Sequence, residues 1–391
     1  MFHIFVGVIR IPATRPTGYN RPLMRLSVLP ILTPAAPPAI DTGPRSIAAV
    51  RVLRISVTDR CNFRCLYCMP EEGVRWLPKD DILTFEEISD VVRAAVEIHG
   101  IRRFKLTGGE PTVRHGMVEL VRLLRTLDGV EDLSLTTNGM LLTDLARPLK
   151  DAGLDRVTVS MDSLRPERFR QITRTGDLSA VLNGVERLHE VGFANTKLNC
   201  VTMRGTNDDE FADFARLTLN QPLTVRFIEY MPLGDSQFSS RTDLRVDESE
   251  VGPAGGCGAQ DRGDAFIAEP EVRAAIEREL GPLLPVDRST ESGVGPATVY
   301  RLASARGRIG FISAMSAPFC ETCNRLRLTA NGILRSCLFE GGEVNLRDIL
   351  RIESNATRRS YAIAQAMTDC VKLKPDVHSF HGNEQMSRIG G

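Results

Sequence analysis

Short apolar segments alternate with amphipathic segments along the first half of the chain, beginning near Arg51. Six of the apolar segments are four to six residues long and rich in β-branched residues, as strands buried on both faces of a parallel sheet are. The predicted strands are Leu53–Val57, Arg103–Leu106, Leu133–Thr136, Arg156–Ser160, Leu198–Met203 and Val225–Tyr230.

Helical periodicity lies between the predicted strands. In residues 85–99 the apolar residues recur at the spacing of one buried helix face. A capping box from Thr84 to Glu87 begins this helix, and Gly100 ends it. Further helices are predicted at Gly116–Leu127, Asp144–Asp151, Ala180–Val191 and Asp208–Leu219, the last with Asn207 as its N-cap.

Six strand–helix units with short connections predict an α/β fold, because such alternation builds a parallel sheet with helices outside. Six units suit an incomplete (βα)6 TIM-type barrel better than the eight units of a closed one. We expect residues 51–234 to form this partial barrel and function to lie at the C-terminal ends of its strands.

The rest of the chain divides into two regions. Residues 235–297 are polar and glycine-rich, and we interpret them as a connecting region with one helix at Glu269–Leu280. Residues 298–391 form a C-terminal extension, in which strands are predicted at Thr298–Leu302 and Ile309–Ile312. Its last forty residues show little pattern before the Gly390-Gly391 end.

Residues 1–50 differ from everything that follows. They are rich in proline, contain several arginines and have no acidic residue before Asp41. The apolar run Ile4–Ile9 is far too short to span a bilayer. We interpret this stretch as a disordered extension or as the product of a start codon placed too far upstream.

Composition restricts the kind of function. The chain of 391 residues carries 49 basic and 49 acidic side chains, which excludes bulk attraction to nucleic acid or membranes. An anion site must therefore be a local cluster of Arg and Lys. Six of the nine cysteines fall in two tight groups, which indicates metal ligands in a reducing compartment.

The first cysteine group directly follows the first predicted strand. Cys61, Cys65 and Cys68 have C-x3-C-x2-C spacing. Three thiolates on one short loop can hold three corners of a [4Fe–4S] cluster and leave the fourth iron open for a small molecule. A structural zinc site, the alternative, needs four protein ligands.

The second group, Cys320, Cys323 and Cys337, also supplies three ligands. We interpret it as a second cluster with an open iron; the alternative is a zinc site completed by Cys370 or a histidine. Arg325 and Arg327 would share one face of a strand beside these cysteines. Phosphate is the natural partner of two such guanidiniums, unless both are simply exposed to solvent.

After the second predicted strand the chain reads Thr107-Gly108-Gly109-Glu110-Pro111. Together with the first cysteine group, this order resembles the radical S-adenosylmethionine superfamily. The resemblance implies that the open iron binds S-adenosylmethionine and that its cleavage gives a 5′-deoxyadenosyl radical. It also implies that Gly108, Gly109 and Glu110 hold the methionyl amino group, because glycines permit close backbone approach and a carboxylate pairs with an ammonium.

Further segments resemble one family of this superfamily, the GTP 3′,8-cyclases that begin molybdenum-cofactor (molybdopterin) biosynthesis. These segments are residues 53–61 (LRISVTDRC), 226–232 (RFIEYMP), 313–320 (SAMSAPFC), 323–328 (CNRLRL), 336–339 (SCLF) and 389–391 (IGG). The resemblance covers about residues 50–234 and 298–350 together with the tail.

The resemblance implies roles for matching residues. Two [4Fe–4S] clusters and S-adenosylmethionine are the cofactors, with Tyr67, Gly109, Ser160 and Met231 contacting S-adenosylmethionine. GTP binds the open iron of the second cluster through its purine, and its further contacts are Arg54, Arg103, Lys105, Thr136, Lys197, Arg325 and Arg327. The family more often has Arg where Lys105 stands, which removes a bidentate fork. Gly390 and Gly391 are expected to enter the active site.

The implied reaction is that of a lyase: hydrogen abstraction from C3′ of GTP, then attack on C8, giving 3′,8-cyclo-7,8-dihydro-GTP. The expected partners are GTP, an external electron donor and a downstream cyclic pyranopterin monophosphate synthase, with no nucleic acid and no membrane; a homodimer stays open. The expected location is cytoplasmic, or the mitochondrial matrix in a eukaryote. Two alternatives remain: a peptide-modifying radical enzyme with an auxiliary cluster, and a non-enzymatic metal-binding redox regulator.

Overall fold

The computed structural model describes residues 43–233, 265–287, 295–340, 342–378 and 389. The strands are β1 (Val52–Ser56), β2 (Arg103–Thr107), β3 (Asp132–Thr137), β4 (Arg156–Ser160), β5 (Lys197–Thr202), β6 (Thr224–Glu229), β7 (Leu284–Pro285), β8 (Thr298–Arg301), β9 (Arg308–Ile312), β10 (Arg325–Leu328), β11 (Ile333–Arg335) and β12 (Glu343–Asn345). The α-helices are α1 (Phe85–His99), α2 (Met117–Arg125), α3 (Leu142–Asp151), α4 (Pro166–Thr173), α5 (Leu178–Glu190), α6 (Phe211–Asn220), α7 (Glu269–Leu280), α8 (Arg347–Ile352) and α9 (Ala356–Lys372).

The six strands predicted for the first half are β1 to β6, with ends that differ by at most one residue. Helix α1 has the predicted bounds because its ends are encoded locally. The Thr84 hydroxyl accepts from the Glu87 N–H at 3.1 Å, and the Glu87 carboxylate accepts from the Thr84 N–H at 2.8 Å. Gly100 ends the helix with φ of 65°.

One helix was missed in the sequence, and one N-cap was assigned wrongly. Helix α4 was not foreseen, and Asn207 does not cap α6, which begins at Phe211 after Glu210. The Asn207 side-chain amide instead donates to the carbonyls of Asp162 and Val201, both at 2.8 Å. A residue suited to capping is therefore used to join the loops after β4 and β5.

The C-terminal residues are more ordered than their pattern suggested. Helix α9 lies within the last forty residues, in which the sequence shows little pattern, and it packs against α1. The short helix α8 directly precedes it. The buried positions of α9, Ile363, Met367, Cys370 and Val371, do follow helical spacing. Alanines and polar residues between them diluted that signal in the sequence.

The twelve strands form one sheet in the order β12-β11-β10-β1-β2-β3-β4-β5-β6-β9-β8-β7. The eight from β10 to β9 in this order are parallel, while β11, β12, β8 and β7 are antiparallel at the two edges. The C-terminal region therefore adds a parallel strand to each side of the six predicted ones.

The sheet is open where the chain runs from β9 to β10. These strands are successive in sequence but lie on opposite sides of the six-strand unit and do not pair with each other among the described residues. Residues 313–324 connect them and contain Cys320 and Cys323. The second cysteine group is thus built into the segment that joins the two sides of the open sheet.

One hydrophobic core fills the space between the sheet and its helices. Its aromatic part places Phe227 of β6 against Phe211, Phe214 and Phe311, with ring centroids 5.6 to 6.3 Å apart. Across the described ranges, no helix has the length and apolar character that crossing a membrane requires.

Candidate active site

Alternate side chains of adjacent strands line one cavity of about 300 Å³. Arg54 of β1 stands in register with Lys105 of β2 and with Arg327 of β10, so the three side chains lie on the same face of the sheet. Residues from all six strands β1 to β6 contribute to the lining, which means that the sheet curves around the cavity. This arrangement is the inside of an open barrel.

The two cysteine groups lie at opposite ends of the strands that line this cavity. Cys61 follows the C-terminal end of β1, whereas Cys323 precedes the N-terminal end of β10, and the two strands are parallel and in register. The intervening five residues span roughly 16 Å at 3.3 Å per residue. The expected location at the C-terminal strand ends therefore applies to the first group, while the second approaches from the other end.

Cationic side chains dominate the wall between the two groups. Among the described residues lining the cavity, eight are Arg or Lys and two are acidic, Asp132 and Asp162. The cationic residues are Arg54, Arg103, Lys105, Arg156, Lys197, Arg226, Arg325 and Arg327. Burial and the neighbouring charges of Arg327, Arg325 and Arg226 hold the pKa of Arg54 well below its usual value. A polyanionic ligand would offset this repulsion between the cationic side chains.

Lys105 is positioned by hydroxyl groups. Its ammonium donates to Thr136 at 3.2 Å and to Thr158 at 3.4 Å. Burial, followed by the charges of Arg226 and Arg54, lowers its pKa well below the usual value. The ammonium thus keeps a fixed direction into the cavity although it lacks the fork of an arginine.

Sequence reasoning assigned no role to Arg226 and Arg156, which line the same wall. The Arg226 Nε donates to Asn199 Oδ1 at 2.9 Å, and the Arg156 Nε donates to Asp132 Oδ1 at 3.0 Å. Burial and the charge of Arg156 lower the pKa of Arg226 to about 10. The available signal was a polar residue at every second strand position, which marks the inner face of a barrel.

Cys320, Cys323 and Cys337 all line the cavity beside Arg325. The Arg325 guanidinium lies 4.8 Å from the ring centroid of Phe319, and its Nη2 lies 3.8 Å from the Cys323 sulfur. Burial acts to raise the pKa of Cys323, but the charges of Arg325 and Lys374 outweigh it and the pKa lies below its usual value. The surroundings of Cys323 therefore favour the thiolate that an iron ligand must be.

A buried carboxylate holds the segment that leads to Cys320. Glu229, at the end of β6, accepts from the backbone N–H groups of Met315 and Ser316, both at 2.9 Å. It also accepts from the Ser316 hydroxyl and from the Glu269 N–H. These bonds join residues 313–316 to the barrel on the β6 side.

The first cysteine loop is ordered by arginines. Arg64 Nη1 donates to the carbonyls of Cys61 at 2.7 Å and Phe63 at 2.8 Å, and Arg174 donates to the Arg64 carbonyl at 2.8 Å. Burial, then the charges of Glu110 and Cys68, raises the pKa of Cys61 to about 12. A thiol in such surroundings ionises readily only when a metal supplies positive charge.

Tyr67, between the second and third cysteines of this loop, faces the cavity together with Ser160 and Met231. Its hydroxyl donates to Asp162 Oδ2 at 2.8 Å, while Asp162 Oδ1 accepts from the Val201 N–H at 2.8 Å. Burial raises the pKa of Asp162 to about 6. These residues form the part of the cavity next to the first cysteine group.

Gly108 and Gly109 serve a purpose that was not foreseen. A Cβ on Gly108 would lie 2.5 Å from the Thr58 carbonyl oxygen, and one on Gly109 would lie 2.5 Å from those of Asp59 and Arg60. The Gly109 N–H donates to the Thr58 carbonyl at 2.8 Å. The close approach is therefore to the backbone before Cys61, where only glycine fits.

The pairing of Glu110 with the methionyl ammonium stays a prediction, while its contacts within the protein are defined. Its carboxylate is buried, is not among the residues that line the cavity, and accepts from the Thr112 N–H, the Thr137 hydroxyl and the Asn138 N–H. Burial raises its pKa despite these bonds. The described contacts of Glu110 are thus all to the protein, and they fasten the loop after β2 to β3.

We expect Gly109→Ala to abolish binding of the first cluster, because the added methyl group would displace the backbone on which Cys61 depends. Iron per chain after anaerobic reconstitution should fall by about half, consistent with loss of one of two four-iron clusters. Gly192→Ala is the control, since a Cβ there meets no atom within 4 Å and the cost is limited to backbone strain at φ of 82°. Full iron content in Gly109→Ala would contradict this account of the glycine.

Each cysteine group supplies three thiolates, the number that a [4Fe–4S] cluster with an open iron takes. Cys370, the candidate fourth zinc ligand, is buried, and its thiol donates to the Gly342 carbonyl at 3.2 Å. His378 lines the cavity, but its Nε2 donates to the Ala314 carbonyl.

Two predicted site residues at the end of the chain, Gly390 and Gly391, lie outside the described residues. Their entry into the active site stays a prediction. The structure brings the other predicted GTP contacts together around the cavity, including Arg103, Thr136 and Lys197.

Fold and site define a class of protein. Residues 55–218 match the family model described as the Radical SAM superfamily, and residues 223–380 match the one described as Molybdenum Cofactor Synthesis C. The second match includes most of the segments 235–297 and 351–388, which the resemblance seen in the sequence did not cover. The cofactors of this class are S-adenosylmethionine and [4Fe–4S] clusters, and both cysteine groups fit such clusters.

Proteins of similar sequence identify the family within this superfamily. A GTP 3′,8-cyclase of Pelotomaculum thermopropionicum is 47% identical over 90% of this chain and 99% of its own length. Those of Alkaliphilus metalliredigens and Pseudomonas putida are 41% and 42% identical, over 90% and 86% of this chain and 99% and 93% of their own. The chain belongs to the GTP 3′,8-cyclase family.

A solved structure of Streptococcus suis SuiB bound to S-adenosylmethionine has the same fold. It is 13% identical with a TM-score of 0.52, and the match covers 79% of this chain and 65% of that one. This likeness concerns the fold alone.

Proposed function

We propose that this chain converts GTP to 3′,8-cyclo-7,8-dihydro-GTP, the first step of molybdenum-cofactor biosynthesis. The observation that carries the proposal is one cavity lined by Cys320, Cys323, Cys337 and eight cations, with the first cysteine triplet following the opposite end of a strand that lines it. A nucleoside triphosphate needs such a wall, and a radical reaction needs both reactants in one enclosed space.

The cofactors are assigned by their ligands. Cys61, Cys65 and Cys68 hold the cluster that binds S-adenosylmethionine, and Cys320, Cys323 and Cys337 hold the cluster next to GTP. Once bound, the first cluster and S-adenosylmethionine supply a 5′-deoxyadenosyl radical. Tyr67, Ser160 and Met231 line the adjacent part of the cavity, where we assign contacts with S-adenosylmethionine.

The protein's own side chains bind and orient GTP. Guanidiniums of Arg54, Arg325 and Arg327 bind phosphate oxygens in a buried setting, where charge-assisted hydrogen bonds are strong. Lys105, held by Thr136 and Thr158, and Arg226, held by Asn199, fix the direction of the triphosphate. The ribose then points toward the first cysteine group, which is the geometry that abstraction from C3′ requires.

We also propose the partners of this reaction and its cellular location. The reaction needs an external electron donor, and its product is consumed by cyclic pyranopterin monophosphate synthase. None of the eight described cysteines forms a disulfide, which is compatible with a reducing compartment such as the cytoplasm, the location that we propose.

The decisive assay uses reconstituted protein without oxygen, dithionite, S-adenosylmethionine and GTP deuterated at C3′. Deuterium should appear in 5′-deoxyadenosine, because the abstracted atom comes from C3′. Cys61→Ser is the negative control, since it removes one ligand of the first cluster. Protium-only 5′-deoxyadenosine in the presence of deuterated GTP would refute the proposal.

The same assay separates the alternatives. A peptide-modifying enzyme would form 5′-deoxyadenosine with a peptide and not with GTP. A metal-binding regulator would contain zinc without iron and sulfide, so elemental analysis of the anaerobic protein distinguishes it. The relatives at 41–47% identity favour GTP over both.

A further inference from the structure

The backbone after α9 turns back over the second cysteine group, and we call residues 373–378 the C-terminal clasp. Lys374 is only 4% exposed, and its ammonium donates to the Cys323 carbonyl at 2.9 Å. The Leu373 carbonyl accepts from the Ser336 hydroxyl at 3.3 Å, next to Cys337. The clasp thus brings a buried positive charge to the cysteine group.

The other end of the clasp contacts the remaining cysteine. Burial raises the pKa of the Cys320 thiol, and a backbone hydrogen bond from His378 acts against that rise. The His378 ring stacks on Phe339 with centroids 4.1 Å apart and planes 19° apart, and its Nε2 donates to the Ala314 carbonyl at 3.0 Å. His378 is 4% exposed, so these contacts fix the position of its backbone N–H.

The clasp is also held from its outer side. Arg45 Nε donates to the Lys374 carbonyl at 2.8 Å, and Arg45 Nη2 pairs with Asp376 at 2.8 Å. The Asp376 side chain is largely exposed, so this ion pair contributes little energy by itself. Its effect is to keep the backbone of Lys374 in place.

Charge and hydrogen bonds at cluster sulfurs govern the reduction potential of an iron–sulfur cluster. Reduction adds negative charge, so a nearby cation and an N–H···S hydrogen bond both favour the reduced state. A buried ammonium is costly unless it faces negative charge. The cluster that the three thiolates would hold supplies that charge.

We propose that the C-terminal clasp raises the reduction potential of the second cluster and retains it, through the charge of Lys374 and the N–H of His378. This inference rests on the proposed function, because it requires a cluster at Cys320, Cys323 and Cys337. Lys374 and His378 are positioning residues in this account, since they act through the cysteines.

The test uses the full chain carrying Cys61→Ser, Cys65→Ser and Cys68→Ser, which leaves the second cluster as the only one to observe. The reduction midpoint is measured by a redox titration followed by electron paramagnetic resonance. Lys374→Gln keeps a hydrogen-bond donor but removes the charge. It should lower the one-electron reduction equilibrium constant at least tenfold, which is 59 mV. Lys374→Arg should restore the midpoint, and Lys372→Gln, which removes an exposed charge on α9, should not change it.

A second measurement follows iron release to a chelator. His378→Phe keeps the stack on Phe339 but loses the bond to Ala314, so it should release iron several-fold faster. Loss of the cluster from Lys374→Gln, together with its retention in Lys374→Arg, would also support the clasp proposal. Two results would overturn the clasp proposal but leave the proposed function intact. They are an unchanged reduction midpoint in Lys374→Gln and loss of the cluster from both Lys374 variants. Absence of any cluster in the background protein overturns the clasp and the proposed function together.

Discussion

Replacing Cys320, Cys323 and Cys337 together by serine is expected to halve the iron of the reconstituted protein, from about eight atoms per chain to about four. GTP-dependent formation of 5′-deoxyadenosine should cease, since GTP loses its anchoring iron. The first cluster should survive, because its ligands lie at the other end of the strands that line the cavity, on a loop fastened to β2 and α4. Iron and sulfide analysis, together with the slow cleavage of S-adenosylmethionine in the absence of GTP, measures both effects.

Cys370→Ser is the matched control for that experiment. Cys370 is buried near the second group, but its thiol donates to the Gly342 carbonyl, a bond that a serine hydroxyl can replace. This variant should keep all of its iron. A triple variant with undiminished iron would mean that these cysteines hold no cluster, and iron loss in Cys370→Ser would make it a ligand.

Arg327→Met is expected to weaken GTP binding by a factor of about ten to one hundred. The reason is the loss of a buried charge-assisted hydrogen bond, worth about 1.5–3 kcal/mol. Arg327 is 6% exposed, and burial together with the charge of Arg325 lowers its pKa to about 10. Because the removed cation repels Arg54 and Arg325, the ligand-free protein should lose little stability. Equilibrium binding of GTP measures the affinity, and thermal unfolding measures the stability.

Inorganic triphosphate separates the phosphate contact from the rest of GTP. It should raise the melting temperature of the native protein by mass action and that of Arg327→Met much less. Arg278→Met, which removes an exposed arginine of α7, should respond like the native protein. Equal stabilisation of all three proteins would exclude Arg327 from the phosphate site.

Local pattern by itself determined the first half of the fold. The strands β1 to β6 were predicted within one residue of each end, and α1 and α7 with their observed bounds. Apolar periodicity and caps are properties of neighbouring residues, so they can be read without knowledge of the fold. The two cysteine triplets were also evident, because ligand spacing within a loop is local.

The pairing of distant segments was decided only by the tertiary structure. No local signal places β9 and β10 on opposite sides of the six strands, yet that placement carries Cys320 and Cys323 to the cavity. Arg226 and Arg156 became site residues only through the curvature of the sheet. Glu110 accepts from Thr137 of β3, and Lys374 reaches Cys323 from the clasp after α9, 51 residues later. Such contacts depend on which surfaces meet across the chain, and a periodic pattern records only that a surface is buried, not what buries it.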